Sequence, residues 1–332
     1  MTTVTLAPVW PEELTEVFTS SQVCEYATLT RRLTPVTWPV TPYRGARTLD
    51  VSTGLSYPLK AERARANPRV ALSYSDTAGY ASGSASGRPP VVLVEGLATV
   101  RDADLQANTD RYVRESLLRN GTNGTPWFVA RTWSWYYARI WVEVTPLRIT
   151  WWPGGDLRRT PLTWSAEADV TAPPSDPAPS ARPRRSAPPE GHPPADWRPF
   201  AERAARLGNP VLTMVRDGGP VPLRTRSVSR TDDGYVVTLP AGIEPTEGPV
   251  CLTFHRLTTG DRFAQENVVL LGHARPTGDG VAVSVDRAVE DWSVAGGRWR
   301  QARDWMAHGS RLKRRLADEA RRRGQPVPKV RR

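Results

Sequence analysis

The chain has 332 residues, 39% of them hydrophobic, and a formal net charge of +11; length alone argues for about two domains with real cores. No stretch approaches the roughly 20 apolar residues that a bilayer span needs, and the first residues lack the basic-then-apolar pattern of a secretory leader, so the expectation is a cytoplasmic protein. The two cysteines, Cys24 and Cys251, are too few for a disulfide framework and have no metal-ligand spacing, and +8 of the net charge belongs to residues 311–332, leaving +3 for the rest, which argues against a nucleic-acid-binding body.

In chain order, a short helical pattern over Trp10 to Phe18 precedes strands at Tyr26 to Arg31, Val36 to Tyr43 and Thr48 to Ser52, all rich in Thr, Val, Tyr and Trp. Lys60 to Ala66 reads as a short helix that Asn67-Pro68 stops. A strand at Arg69 to Ser75 leads to a Gly/Ser-rich loop over 78–90 and a strand at Val91 to Val100. Asp102 is placed to cap a helix running to Arg119. The Asn-Gly-Thr repeats over 120–125 read as a turn rather than glycosylation sites, and Tyr136 to Val144 and Leu147 to Trp152 close the domain as strands. Many short strands with few helices indicate a small barrel. Thr171 to Arg198 then carries nine of the 32 prolines, a composition that favours an extended linker over a packed core. The expected organisation is a first barrel over 1–168, a linker over 169–196, a second barrel over 197–310 and a basic, solvent-facing helix or tail over 311–332. That tail offers at most weak contact with nucleic acid.

The second domain repeats the first. Residues 211–215 stand where 27–30 stood, 219–223 parallel 34–38, 235–239 parallel 48–52, 248–254 parallel 67–73, and 267–272 parallel 91–96. Five segments in one order describe a diverged tandem repeat.

The most informative run spans Thr48 to Val70. A strand ends in Ser52-Thr53-Gly54, a turn follows, and a helix starts near Lys60, with Arg63 and Arg65 on the next turn. Hydroxyls, helix-start amides and fixed cations together suit a phosphate. An ordinary strand–turn–helix with a solvated basic face explains the same spacing. With Asn67-Pro68-Arg69-Val70 behind it and Pro35 to Tyr43 before it, the run resembles the pyridoxamine 5'-phosphate oxidase-like family of FMN-binding split barrels. The resemblance implies a mainly β fold of two tandem flavin-reductase-like split barrels and an FMN-dependent oxidoreductase acting on a small-molecule redox substrate. It also implies a site in which Trp38, Val40, Thr41, Pro42 and Tyr43 flank the isoalloxazine ring. Ser52 and Thr53 hold the flavin tail there, and Leu59, Lys60 and Arg63 lie at its phosphate. Leu59 stands where the stricter oxidases of the family have Arg, and their C-terminal Arg-x-His segment is not evident, which argues against pyridoxamine phosphate oxidase activity itself.

Sites of this family form between two barrels, so one chain with two barrels implies an intramolecular pseudo-dimer, with a homodimer of chains as a further possibility. The second barrel's equivalent turn, 239–247, has Glu244 and Glu247 and no lysine, so it repels a phosphate. The second barrel is expected to wall the first barrel's pocket instead, with Arg224 and Arg226 as candidate contributors. Three ligand readings stay open at this stage: FMN, a deazaflavin or haem. A non-enzymatic interaction or sensor module is the alternative to an enzyme. His255 and His273 lie in or beside paired strands where they can meet, His192 falls in the linker and His308 near the C-terminus. Trp133, Trp135 and Trp141 with Tyr136 and Tyr137 form an aromatic cluster suited to packing or to stacking on a flat ligand. No nucleophile elbow, phosphate-binding P-loop or zinc-protease helix occurs.

Overall fold

The computed structural model describes residues 10–76, 88–120, 133–180, 196–258, 264–278, 280–293 and 298–331. The Asn-Gly-Thr repeats beyond residue 120, residues 78–87 of the Gly/Ser-rich loop, His192 and the side chain of His308 lie outside what is described.

The first barrel comprises β1 (Cys24–Leu29), β2 (Pro35–Val40), β3 (Pro42–Arg44), β4 (Leu49–Gly54), β5 (Arg69–Tyr74), β6 (Val91–Arg101), β7 (Arg139–Trp152) and β8 (Leu162–Ser165). Helix α1 (Thr15–Ser20) precedes them. Helix α2 (Leu59–Ala66) follows β4, and α3 (Leu105–Asn120) and α4 (Ser134–Tyr137) join β6 to β7. The second barrel comprises α5 (Ala201–Arg206), β9 (Val211–Arg216), β10 (Gly219–Arg224), β11 (Ser227–Arg230), β12 (Gly234–Thr238), β13 (Gly248–Thr258), β14 (Ala264–Thr277) and β15 (Gly280–Ser293), followed by α6 (Arg298–Arg322).

The sheet orders establish the repeat. The first runs β2-β1-β5-β6-β7-β4-β3 and the second β10-β9-β13-β14-β15-β12-β11, the same path strand for strand. All five segment correspondences expected from the sequence fall on equivalent strands. Both sheets are antiparallel and slip register at one equivalent place, between Glu95 and Gly96 in β6 and between Leu271 and Gly272 in β14. A Cβ on Gly96 would collide with the carbonyl of Thr145, and one on Gly272 with that of Ser284. The bulge brings two backbones so close that only glycine fits. The protein is mainly β, two tandem split barrels, as expected.

The barrels meet along β2 and β10. β2 lies against β13 and β9, and β10 against β5 and β1. Their cores are continuous: Ala27, Ala71, Leu93 and Trp152 of the first barrel share one buried cluster with Leu212, Leu252 and Leu270 of the second.

Tyr136 and Tyr137, expected to open a strand, lie in α4, and the two strands expected after them are one, β7, which runs unbroken from Arg139 to Trp152. Three further expectations change. First, Asp104, not Asp102, caps α3, accepting from the Ala107 amide at 2.8 Å. Asp102 instead pairs with Arg65 at 2.7 Å and Arg323 at 2.8 Å. Second, the start of the proline-rich segment is tied to the first barrel. Thr99 Oγ1 donates to the Pro173 carbonyl at 2.7 Å, the Val100 amide to Ser175 Oγ at 2.9 Å, and the Asp102 and Ala103 amides to the Asp176 carboxylate at 2.7 Å each. Backbone polar groups that cannot build a core still bond to a strand end.

Third, the C-terminal helix is not a solvated tail. After the second barrel, α6 returns to the first, where Leu316 and Ala320 join the core and Leu312 is buried beside them. The i, i+4, i+8 spacing of these three residues is the amphipathic stripe that buries a helix face. Arg322 and Arg323 both reach Glu62 of α2, and Arg323, whose side chain is only 2% exposed, also reaches Glu319 at 2.6 Å. Beyond the helix, Gln325 receives the Leu105 amide at 2.8 Å and donates to the Asp102 carbonyl at 2.7 Å. Two of the arginines at this end of the chain, Arg322 and Arg323, are thus neutralised inside the fold. Among the described residues, no helix is long and apolar enough to cross a membrane.

Candidate functional site

The corner between β4 and α2 is built by short-range bonds. The Tyr57 amide donates to the Gly54 carbonyl at 2.8 Å, and Thr53 Oγ1 donates to the Tyr57 carbonyl at 3.1 Å. Pro58 then starts α2. Thr53 is buried and its single hydroxyl proton holds the turn, so it shapes the corner rather than offering a donor outward. Ser56 is also engaged, donating to the Leu312 carbonyl of α6 at 3.2 Å.

Cations project from the first turns of α2. Lys60 Nζ lies 4.8 Å from the centre of the half-buried Trp38 ring on β2, a cation–π distance. Arg63 is one turn further along the same face. Burial lowers its pKa, which the nearby Cys251 opposes, and Arg63 makes no ion pair among the described residues. Facing both is a wall from the second barrel. Cys251 of β13 and Val269 and Leu271 of β14 form a buried cluster with Val36, and Trp38 and Val289 pack against it. The Cys251 thiol is pushed up to about 11 by burial, against the Thr253 hydroxyl, the Thr37 backbone and Arg63, which lower it, so it stays a neutral apolar surface at ordinary pH.

The residues named from the sequence divide between two faces. Trp38, Lys60 and Arg63 come together at the barrel boundary. Val40 packs on the first barrel's core; Thr41 links β2 to β3, and Pro42 is buried opposite Val51. Leu59 is 54% exposed at the start of α2. Tyr43 and Ser52 lie elsewhere. Ser52 sits opposite Trp141 in the β4–β7 pairing, and the Tyr43 ring stacks edge-on to Trp141 with centroids 4.7 Å apart. Tyr112 of α3 closes that cluster, joined by Tyr136 and Tyr137. Arg139 donates to Tyr112 Oη at 2.8 Å and lies 4.0 Å over its ring. The cluster therefore packs α3 and α4 onto the sheet, which accounts for most of the tryptophan- and tyrosine-rich segment.

Arg224 does not reach the α2 corner. It crosses the barrel boundary into a largely buried network, donating to Glu25 Oε1 at 3.1 Å and to Ser75 Oγ at 3.0 Å. Ser75 Oγ donates to the same Glu25 oxygen at 2.6 Å, and His255 Nε2 stands 2.7 Å from it. Burial raises the Glu25 pKa, but His255, Arg224 and Ser75 outweigh it and hold the carboxyl below the usual range. His255 is consumed by this contact, and His273 is opposite Pro249, at the far end of the β13–β14 ladder from the His255 pairing with Asn267, so the two histidines do not meet. Among the described residues no group of His, Cys, Asp and Glu is arranged to hold a metal.

The contributions that the sequence did not reveal are Val269, Leu271 and Val289, brought in by the second barrel, and α6. The first could be read only once the two barrels were docked. The second was signalled by the Leu312, Leu316 and Ala320 spacing, hidden under the charge count.

No protein-family model and no curated protein matches the chain. Among solved structures it is similar to a general stress protein 26-related protein of the pyridoxinephosphate oxidase family from Clostridium acetobutylicum, at 14% identity over 46% of this chain and 92% of that one, TM-score 0.31. It is similar to an F420 reductase at 17% identity over 42% of this chain and 98% of that one, TM-score 0.31. It is also similar to a heme binding protein from Mycobacterium smegmatis at 18% identity over 92% of this chain and 99% of that one, TM-score 0.32.

Proposed function

We propose that this double split barrel binds FMN, with its phosphate at the α2 corner and its ring in the groove between Trp38 and the β13–β14 wall, and that it serves as a flavin-dependent oxidoreductase for a small molecule. The observation that carries the reading is Arg63. A guanidinium withdrawn from water between two barrels, with no carboxylate partner among the described residues, is costly unless an anion joins it. Lys60 on the same helix face supplies a second charge, and the α2 amides favour an anion. The donor set therefore fits a phosphate, and the apolar wall fits a flat ring.

FMN would supply the redox chemistry. The chain's own residues bind and orient: Lys60 and Arg63 hold the phosphate, Trp38 offers a ring face, and Cys251, Val269 and Leu271 exclude water from one side. No acid or base is assigned, because none of the titratable groups at this groove is placed to move a proton. Haem has less support, since His255 is held by Glu25. A deazaflavin would use the same cations and is separated from FMN by its bluer absorption.

Titration of the purified protein with FMN tests the assignment. Lys60→Ala is expected to weaken FMN binding about tenfold, the magnitude of one charge-assisted contact, and to leave riboflavin, which has no phosphate, unaffected. Equal FMN affinity in both proteins would remove the phosphate from this corner.

A further inference from the structure

The contact between the barrels is close to a twofold one. β2 lies on β13 and β9, and its equivalent β10 lies on the equivalents of those strands, β5 and β1. Each barrel thus offers the same strands to its neighbour, and by backbone shape alone a first barrel can pair with a second copy of itself. The side chains are not interchangeable. The two bulge glycines, Gly96 and Gly272, stand opposite Val70 and Val250, which fixes the residue correspondence. Ser75 corresponds to His255, and the pairings of β1 and β9 then match Glu25 with Val211 and Pro39 with Arg224.

Ion pairs between the strands of the two barrels run one way at two separate places. Glu25 of the first barrel takes Arg224 at 3.1 Å and His255 at 2.7 Å from the second, with Glu25 fully buried and Arg224 largely so. Glu95 of the first barrel takes Arg216 of the second at 3.3 Å. By the same correspondence the counterparts carry no charge. Val211 and Leu271 stand in the second barrel where the first has its acids, and Pro39, Ser75 and Thr30 stand in the first where the second has its basic residues. Two first barrels placed together would bury Glu25 against a proline and a serine. Two second barrels would bury Arg224 and His255 against a valine. A buried charge left without a partner is strongly unfavourable, and the unlike pair is the arrangement that avoids it on both sides.

We propose that these residues make the barrel face selective: the first barrel accepts the second and rejects another copy of itself. The partner this face fits is a barrel of the same fold that carries basic residues where its own strands have none. Unlike pairing also sets the Lys60 and Arg63 corner against the wall of Cys251, Val269 and Leu271, so the selection assembles that groove. It does not depend on what the groove binds.

The test keeps the chain whole until it has folded. A protease site placed within residues 181–195 is then cut, and native mass spectrometry weighs the complexes after incubation at a concentration where the parent halves remain associated. The parent is expected to keep unlike pairs. A variant without these charges, carrying Glu25→Val, Arg224→Leu, His255→Ser, Glu95→Leu and Arg216→Thr, is expected to populate first–first and second–second complexes at least about tenfold more than the parent. Like pairs as abundant in the cut parent as in the variant would overturn the proposal. So would a variant that stays wholly unlike, which would assign the selection to α6 and the apolar contacts. Should this variant not fold, Glu95→Leu with Arg216→Thr, on partly exposed side chains, is read by the same criterion, with a smaller rise expected.

Discussion

Arg224→Ala is expected to destabilise the protein by about 3 kcal/mol, at the lower end of what removing one partner from a buried ion pair costs. The substitution leaves Glu25, fully buried, with only Ser75 and His255 against its charge. One Glu25 oxygen, Oε2, already lacks a hydrogen-bond partner, so the carboxylate has little reserve. Because Glu25 and Ser75 belong to the first barrel and Arg224 and His255 to the second, the loss is expected to fall on barrel–barrel closure, and chemical denaturation should lose its single transition. The pH dependence has a definite sign. Glu25 is held below the usual carboxylate range in the folded state, so the unfolded chain takes up its proton first as pH falls. The stabilisation is present above the ordinary glutamate pKa and is lost as pH drops through the lower, folded value. Glu25→Gln should flatten this acid limb of the stability profile; an unaltered limb would show that Glu25 does not govern it.

Leu316→Ala is expected to cost about 2–5 kcal/mol, the range for emptying a buried leucine site, although it lies in the most basic part of the chain. Leu316 is 1% exposed and belongs to the first barrel's core. Removal of residues 311–332 is expected to be more severe, since it uncovers that core and releases Glu62 and Asp102 from Arg322 and Arg323. A truncated protein that melts with the intact one would contradict the docking of α6.

What the sequence made legible is local. Most strand positions, the α2 helix with its Asn67-Pro68 stop, and the tandem repeat were readable, because alternation, turn residues and segment order are properties of neighbours in the chain. Lys60 and Arg63 were readable together because they are neighbours on one short helix; Trp38 was set beside them only by the family resemblance. The split of Tyr43 and Ser52 from that group was not, because side chains alternate across a strand: Thr53 turns to the corner while Ser52 turns to Trp141. Nor was the fate of Arg224 or of the C-terminal arginines, whose partners Glu25, Glu62 and Asp102 lie far away in sequence and meet them only after the barrels have closed. A net charge counts such buried pairs as if they faced water.

Crystals of the full chain soaked with FMN test the central claim most directly. The account expects density for the phosphate within hydrogen-bonding reach of Lys60 and Arg63, with the ring along Trp38 and the wall of Cys251, Val269 and Leu271. An empty α2 corner beside a flavin bound on another face of either barrel would contradict it.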